Sequence, residues 1–276
     1  MEKIVWGLLL PLVLLAACDG KKASELNSAI VKSSDTVTVA SDSTAIEDET
    51  SPPKSADELF DDFIYSFTTS RKYQMKRISF PLRVLENGKE SFIQSRTWKF
   101  NRLHLGQTSY TVLYENRGQM NLEKDTSLNK VLLEWIHLRQ SVVRQYVFLR
   151  TNGEWRLTQI NKMPLKEHPN YVFYRFYDRF SSDSIFQRSH VFEPVQFVTY
   201  DADNDFEPIE GVVDVDQWFA FKPILPEKII YNINYGQTFQ GQKRRFLVLR
   251  GDSNSLFSIL EFKWLNNTWK LVKFEN

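Results

Sequence analysis

The feature that most constrains this chain is that it repeats itself. Phe60, Phe63, Phe67, Tyr73-Gln74, Ile78 and Pro81-Leu82 recur as Phe173, Phe176, Phe180, Phe186-Gln187, Val191 and Pro194-Val195, each displaced by 113 positions. Several matches at one constant offset are hard to obtain by chance. Later landmarks follow with small shifts: Trp98 with Trp218, Phe148 with Phe262 and Trp155 with Trp269. Such a period is far too long for a solenoid and has the size of a domain. The reading is therefore one duplicated domain, with the first copy at 56–166 and the second at 167–276.

Each copy opens with apolar residues at helical spacing. Phe60, Phe63, Ile64 and Phe67 fall at i, i+3, i+4 and i+7, and Phe173, Phe176 and Phe180 repeat the stripe after Pro169-Asn170. Ser55 or Asp57 is the expected cap of the first helix and Asn170 that of the second. Alternation and β-branched or aromatic runs then predict strands at 76–85, 92–103, 109–116, 130–139, 141–151 and 154–162 in the first copy. In the second copy they are predicted at 189–200, 212–221, 228–235, 244–250, 256–265 and 268–274. Asn152-Gly153 and Asn266-Asn267 sit just before Trp155 and Trp269, and both pairs suit a tight hairpin with positive φ. A hydrophobic fraction of 42%, with 14% aromatic residues, is enough to fill a core in each copy. The expected class is α+β, a helix packed on a curved antiparallel sheet, given twice.

The N-terminal part reads differently. Residues 4–17 form a short apolar run behind Lys3, too short to cross a bilayer comfortably and ending in small residues. Leu15-Ala16-Ala17-Cys18 resembles the bacterial lipobox, whose cysteine receives a diacylglycerol thioether before acylation of the new N-terminus. The resemblance implies a signal peptide at 1–17, lipidation of Cys18 with palmitate-type chains, and a protein anchored to a membrane of the cell envelope, facing the periplasm. Cys18 is the single cysteine, so neither an intrachain disulfide nor a Cys-based zinc site can form. From Asp19 to Ser55 there is no aromatic residue and Ser, Thr, Ala, Asp, Glu and Lys dominate. This composition predicts a disordered tether at 18–55, the alternative being a short strand at Val37-Thr38-Val39.

The leading helix, the Tyr-Gln step into Ile78-Ser79-Phe80-Pro81-Leu82 and the closing Asn152-Gly153-Glu154-Trp155 hairpin are similar to a Bacteroidetes lipoprotein family of nuclear transport factor 2-like (cystatin-like) fold. That resemblance covers roughly 56–276 and implies two tandem cones, each a strongly curved sheet wrapped around helices. It implies no activity, because the fold hosts isomerases, dehydratases and inert binding modules alike.

Asp201-Ala202-Asp203-Asn204-Asp205 opens like a calcium loop, but the sixth and twelfth places hold Phe206 and Val212 where glycine and glutamate are needed. An acidic hairpin tip is the better reading, even with Glu207 and Glu210 nearby. His104, His137, His168 and His190 share no zinc spacing. His137 follows Val131, Leu133 and Trp135 in alternation and is read as a core or rim histidine. Isomerase-like cones pair a Tyr with an Asp, and Tyr110, Tyr114, Tyr231 and Asp214 offer these without a motif that selects them. There is no nucleophile elbow and no glycine-rich phosphate loop. Catalytic, cofactor and metal residues are therefore all read as none. A net charge of +1 and the short run Lys243-Arg244-Arg245, read as a solvated strand or turn edge, argue against nucleic acid. Trp98, Trp155, Trp218 and Trp269 are read as structural, and Trp135 and Trp264 as candidates for a pocket wall. The functional expectation is a noncatalytic envelope lipoprotein that binds a protein or a small apolar or glycan ligand. The alternative is an isomerase- or hydrolase-like enzyme with an acid–base pair in one cone.

Overall fold

In the computed structural model, which describes residues 57–276 apart from 202, 203, 206, 242 and 253, the first apolar stripe forms α1 (Phe60–Thr69). Phe60, Phe63, Ile64 and Phe67 are all buried. Each large side chain so removed from water contributes roughly 1.5–3 kcal/mol. Leu59, not Asp57, occupies the N-cap, without a side-chain bond. The Asp57 carboxylate is engaged elsewhere, accepting two hydrogen bonds from Arg77 at 3.0 and 2.7 Å. Asn170 does sit at the N-cap of α3 (Tyr171–Ser182), but its side chain does not cap. Two short helices follow that periodicity does not reveal: α2 (Arg71–Lys76), capped by Ser70, and α4 (Ser184–Ser189), capped by Asp183. The expected signal peptide, Cys18 and the tether lie outside the described residues.

The strands of the first half are β1 (Ile78–Glu86), β2 (Lys89–Ile93), β3 (Ser109–Tyr114), β4 (Lys130–His137), β5 (Val142–Thr151) and β6 (Glu154–Pro164). Those of the second are β7 (Val191–Asp201), β8 (Glu207–Val213), β9 (Ile229–Asn234), β10 (Arg244–Gly251), β11 (Phe257–Leu265) and β12 (Thr268–Glu275). Two expected strands are corrected. The strand expected at 92–103 ends at Ile93, and a 3-10 turn at Ser95–Thr97 leads into irregular chain. The strand expected at 212–221 is instead α5 (Val215–Phe221), because Asp214 and Gln217 close a capping box that satisfies the first free N–H groups. Both hairpin expectations hold, with φ of 52° and 81° at Asn152-Gly153 and 50° and 65° at Asn266-Asn267.

Pairing repeats between the halves. In β1–β6, Ile78 faces Leu157 and Val84 faces Ile160, with a register shift between. In β7–β12, Val191 faces Leu271 and Phe197 faces Phe274, again with a shift between. Yet the strands do not close into one sheet per half. They form a single 12-stranded sheet in the order β2-β1-β6-β5-β4-β9-β3-β10-β11-β12-β7-β8. The third strand of each half is exchanged, since β9 pairs with β4 and β3 pairs with β10, both antiparallel. The reason is visible in the strands themselves. Thr111, Val112, Leu113 and Tyr114 of β3 are all buried, as are Arg245 to Leu249 of β10. Strands apolar on both faces need cover on both faces, and the middle of a sheet supplies it.

Two cores result, one on each face. On one face α1 packs with Val112, Tyr114, Val131, Leu133, Phe148, Ile233 and Val248. On the other α3 packs with Leu113, Ile136, Val143, Ile230, Leu247 and Leu249. Each core is dominated by edge-on aromatic contacts, such as Phe60 on Phe148 at 5.4 Å and Phe173 on Phe262 at 5.4 Å.

Candidate functional site

Three places gather polar side chains. The first runs through the middle of the sheet. Residues Thr111, Asn232, Glu134, Gln145 and Asn161 lie opposite one another across β3, β9, β4, β5 and β6. Glu134 is 1% exposed and accepts bonds from Gln145 and Asn232, both at 2.9 Å, while His168 Nε2 stands 3.2 Å away. Burial by itself would raise this carboxyl, but the hydrogen bond and charge of His168, with the two amides, hold it below its ordinary value. The Asn170 N–H donates to His168 Nδ1 at 3.1 Å, and Arg245 Nε donates to Asn170 at 2.9 Å. Arg245 is 2% exposed, so the basic run is not wholly solvated: β10 is central, and its inward positions are covered. This row is a satisfied polar seam, with its acid and its imidazole already partnered.

The second cluster lies on the α1 face. Tyr235 donates to Asp61 at 2.6 Å, Tyr114 donates to Glu123, and Arg250 pairs with Glu123 at 2.7 Å. Burial raises the Asp61 carboxyl, opposed by the Tyr235 bond. Burial also drives His104, packed on Tyr110 at 5.1 Å, down to about 4. Tyr114 thus meets a carboxylate, but it is Glu123 and not Asp214, which serves as the cap of α5, and the tyrosine bonded to Asp61 is Tyr235. Neither cluster lines the cavities described next.

The third place is a cavity of about 290 Å³ in the first half. Its floor is two cross-strand rows, Val84–Ile160–Tyr146 and, beside it, Lys162–Arg144. Its wall is Ile93 at the end of β2 and the chain that follows, which brings Thr97, Trp98, Lys99 and Asn101 over that floor. Gln74 fixes the wall. Its amide donates to the carbonyls of Phe67 at 3.0 Å and Asn101 at 2.8 Å, while its oxygen accepts from Trp98 Nε1 at 2.9 Å and the Asn101 N–H at 3.1 Å. Asn101 in turn reaches the Tyr146 hydroxyl at 3.3 Å. A wider groove of about 490 Å³ lies between the 116–125 segment and Gly236–Thr238, with Asp125 as the one ionisable side chain lining it.

The remaining expected residues are dispersed. His137 lies next to Trp135 at the rim, 6.5 Å ring to ring, and His190 stacks on Phe186 at 3.8 Å. Trp135 packs on Tyr146 and Tyr231 and does not line the cavity, whereas Trp264 packs on Trp269. Trp155, Trp218 and Trp269 are fully buried, so the one recurrent tryptophan that reaches a cavity is Trp98. Asp201, Asn204, Asp205 and Glu207 form the connection between β7 and β8, as a hairpin tip. Glu134 and Arg144 were legible only as lone charges within the apolar runs 131–136 and 142–147, and Gln74 only as half of a repeated pair with Gln187, which bonds the Phe180 carbonyl as Gln74 bonds that of Phe67; nothing marked Asp61.

Comparison with known proteins places this geometry. No curated protein matches the chain. The crystal structure at 2.15 Å of an NTF2-like protein from Bacteroides fragilis NCTC 9343 is similar, with 41% identity, a TM-score of 0.76, and coverage of 82% of this chain and 98% of that one. The fold is thus a mixed α+β architecture dominated by a large curved sheet, with an NTF2-like structural neighbour. The model of DUF4348, a domain of unknown function, matches residues 39–276, reaching back into the segment expected to be a tether. With most of its length so matched, the chain belongs to the DUF4348 family.

Proposed function

We propose that this protein is a noncatalytic cell-envelope lipoprotein, held to a membrane through acylated Cys18 and facing the periplasm. Its body is a pair of cones interlocked by exchange of their third strands, and it serves as a binding module for a protein or a small apolar or glycan ligand. The observation that carries the binding reading is the Trp98–Tyr146 cavity. Its wall is held by three hydrogen bonds to one buried glutamine, which a fourth ties to the Phe67 carbonyl of α1, and the cavity is lined by both aromatic and polar side chains. Support for the anchor comes from Leu15-Ala16-Ala17-Cys18 behind a short apolar run.

The enzyme reading draws on Asp61, a carboxyl raised by burial beside Tyr235. It is the weaker reading, because Asp61 and Glu134 are engaged by protein donors and line neither cavity.

Two measurements test the proposal. Mass spectrometry of protein from membranes should show the diacylglyceryl mass on Cys18, and Cys18→Ser should move the protein to the soluble fraction. A thermal-shift screen of envelope glycans, lipids and peptides should yield a ligand whose effect is lost in Trp98→Ala. An unmodified thiol removes the anchor, and a screen without hits, joined to a failed pull-down, removes the binding role.

A further inference from the structure

The two halves share their cores but not this cavity. The ladder registers equate Val84, Tyr146 and Ile160 with Phe197, Leu260 and Phe274, since Phe197 faces Phe274 and Leu260 faces Phe274 just as Val84 faces Ile160 and Tyr146 faces Ile160. One step along the same strands, Arg144 and Lys162 correspond to Ser258 and Asn276, and next to the Trp98–Trp218 pair Lys99 corresponds to Phe219. In the second half the space is filled: Trp218, carried on α5, is fully buried and packs on Phe274 at 5.3 Å. In the first half the wall is irregular chain, Trp98 is only half-buried, and three cations ring the opening.

The charge balance of that ring is one-sided. No carboxylate lines the cavity. Lys162 is paired with Glu86 at 2.9 Å, at the cavity's edge. The Arg144 guanidinium lies 5.5 Å from the Trp135 ring, which steadies it. Neither Arg144 nor Lys99 has a carboxylate within ion-pair distance among the described residues. A planar guanidinium matches the two oxygens of a carboxylate, and a half-buried indole offers apolar surface to a ring, while the buried Tyr146 closes the floor beneath it. The cavity's size, at the lower end for small-molecule sites, admits one ring and little more.

We infer that this cavity binds a carboxylate-bearing monosaccharide, a uronic acid, with Arg144 and Lys99 taking the carboxylate and the half-buried Trp98 the ring. The inference rests on the binding-module reading above and adds the ligand's charge. Cations on one copy only are what a site acquired after duplication leaves behind, since a structural role would have served both halves.

The test is a titration of the full folded body followed by 1H–15N NMR, reading the Trp98 indole resonance, with galacturonic acid, glucuronic acid and neutral galactose as probes. A uronic acid should shift that resonance with saturation. Galactose should bind roughly tenfold or more weakly, the loss expected of a charge-assisted hydrogen bond. Arg144→Gln should lose the preference and Arg144→Lys should keep part of it, with the spectra themselves showing that both variants fold. If galactose binds as well as the uronic acids, or Arg144→Gln keeps the preference, the anionic ligand is refuted and the binding module stands. If the uronic acids leave Trp98 unmoved while a lipid, peptide or neutral glycan shifts it, the same holds. If no probe moves Trp98, the cavity loses both readings.

Discussion

Glu134 and His104 show how the same burial produces opposite kinds of residue. Glu134 stays charged because three neighbours compensate its lost hydration, and it joins strands from both halves through Asn232. His104 has no such partner: its Nδ1 is buried without a hydrogen bond. An unfolded chain protonates this imidazole near pH 6.5, at about the ordinary value, whereas the folded protein resists until about 4. The unfolded state therefore binds more protons in that window, and stability falls as pH drops from about 6.5 towards about 4, by roughly 3 kcal/mol in full. His104→Phe should flatten that slope in urea unfolding measured at pH 7, 6, 5 and 4. Asp61, raised by burial, acts in the opposite sense but is present in both proteins and cancels in the comparison. An unchanged slope would show that His104 is not held neutral.

At the scale of elements, the instructive case is α5. Its apolar and aromatic composition reads as a strand, yet the Asp214–Gln217 capping box starts a helix whose Trp218 and Val215 enter the core. The local signal was present as an Asp and a Gln three residues apart, but periodicity over seven residues is too short to outweigh β propensity. Asp214→Ala should therefore cost about 1 kcal/mol, the usual worth of such a cap, read as a lower denaturant midpoint at unchanged slope. The corresponding position in the first half is the 3-10 turn at Ser95–Thr97, which has no side-chain cap. That difference leaves the wall of the cavity irregular and the cavity open.

The whole molecule depends on the exchange of β3 and β9. Each half, cut from the other, would leave β4 without β9 or β10 without β3. Residues 57–166 and 167–276, expressed apart, should each give poorly dispersed NMR spectra and should recover a native spectrum as a 1:1 complex when mixed. Two well-dispersed monomers would mean that each third strand can pair at home, and that the interlock is dispensable.

What the amino-acid sequence determined by itself was the repeat, the helix-then-strands order, the hairpin turns and the α+β class. These follow from spacing, turn chemistry and composition, all of which act over a few residues. What only the tertiary structure decided was which strands became neighbours, and hence where the polar seam and the cavity lie. Residues 111 and 232 are adjacent through the pairing of β3 with β9, and no local pattern encodes a partner more than 100 positions away. The same holds for the cavity: its cations stand on β5, β6 and the chain after β2, far apart in sequence and gathered only when the sheet forms.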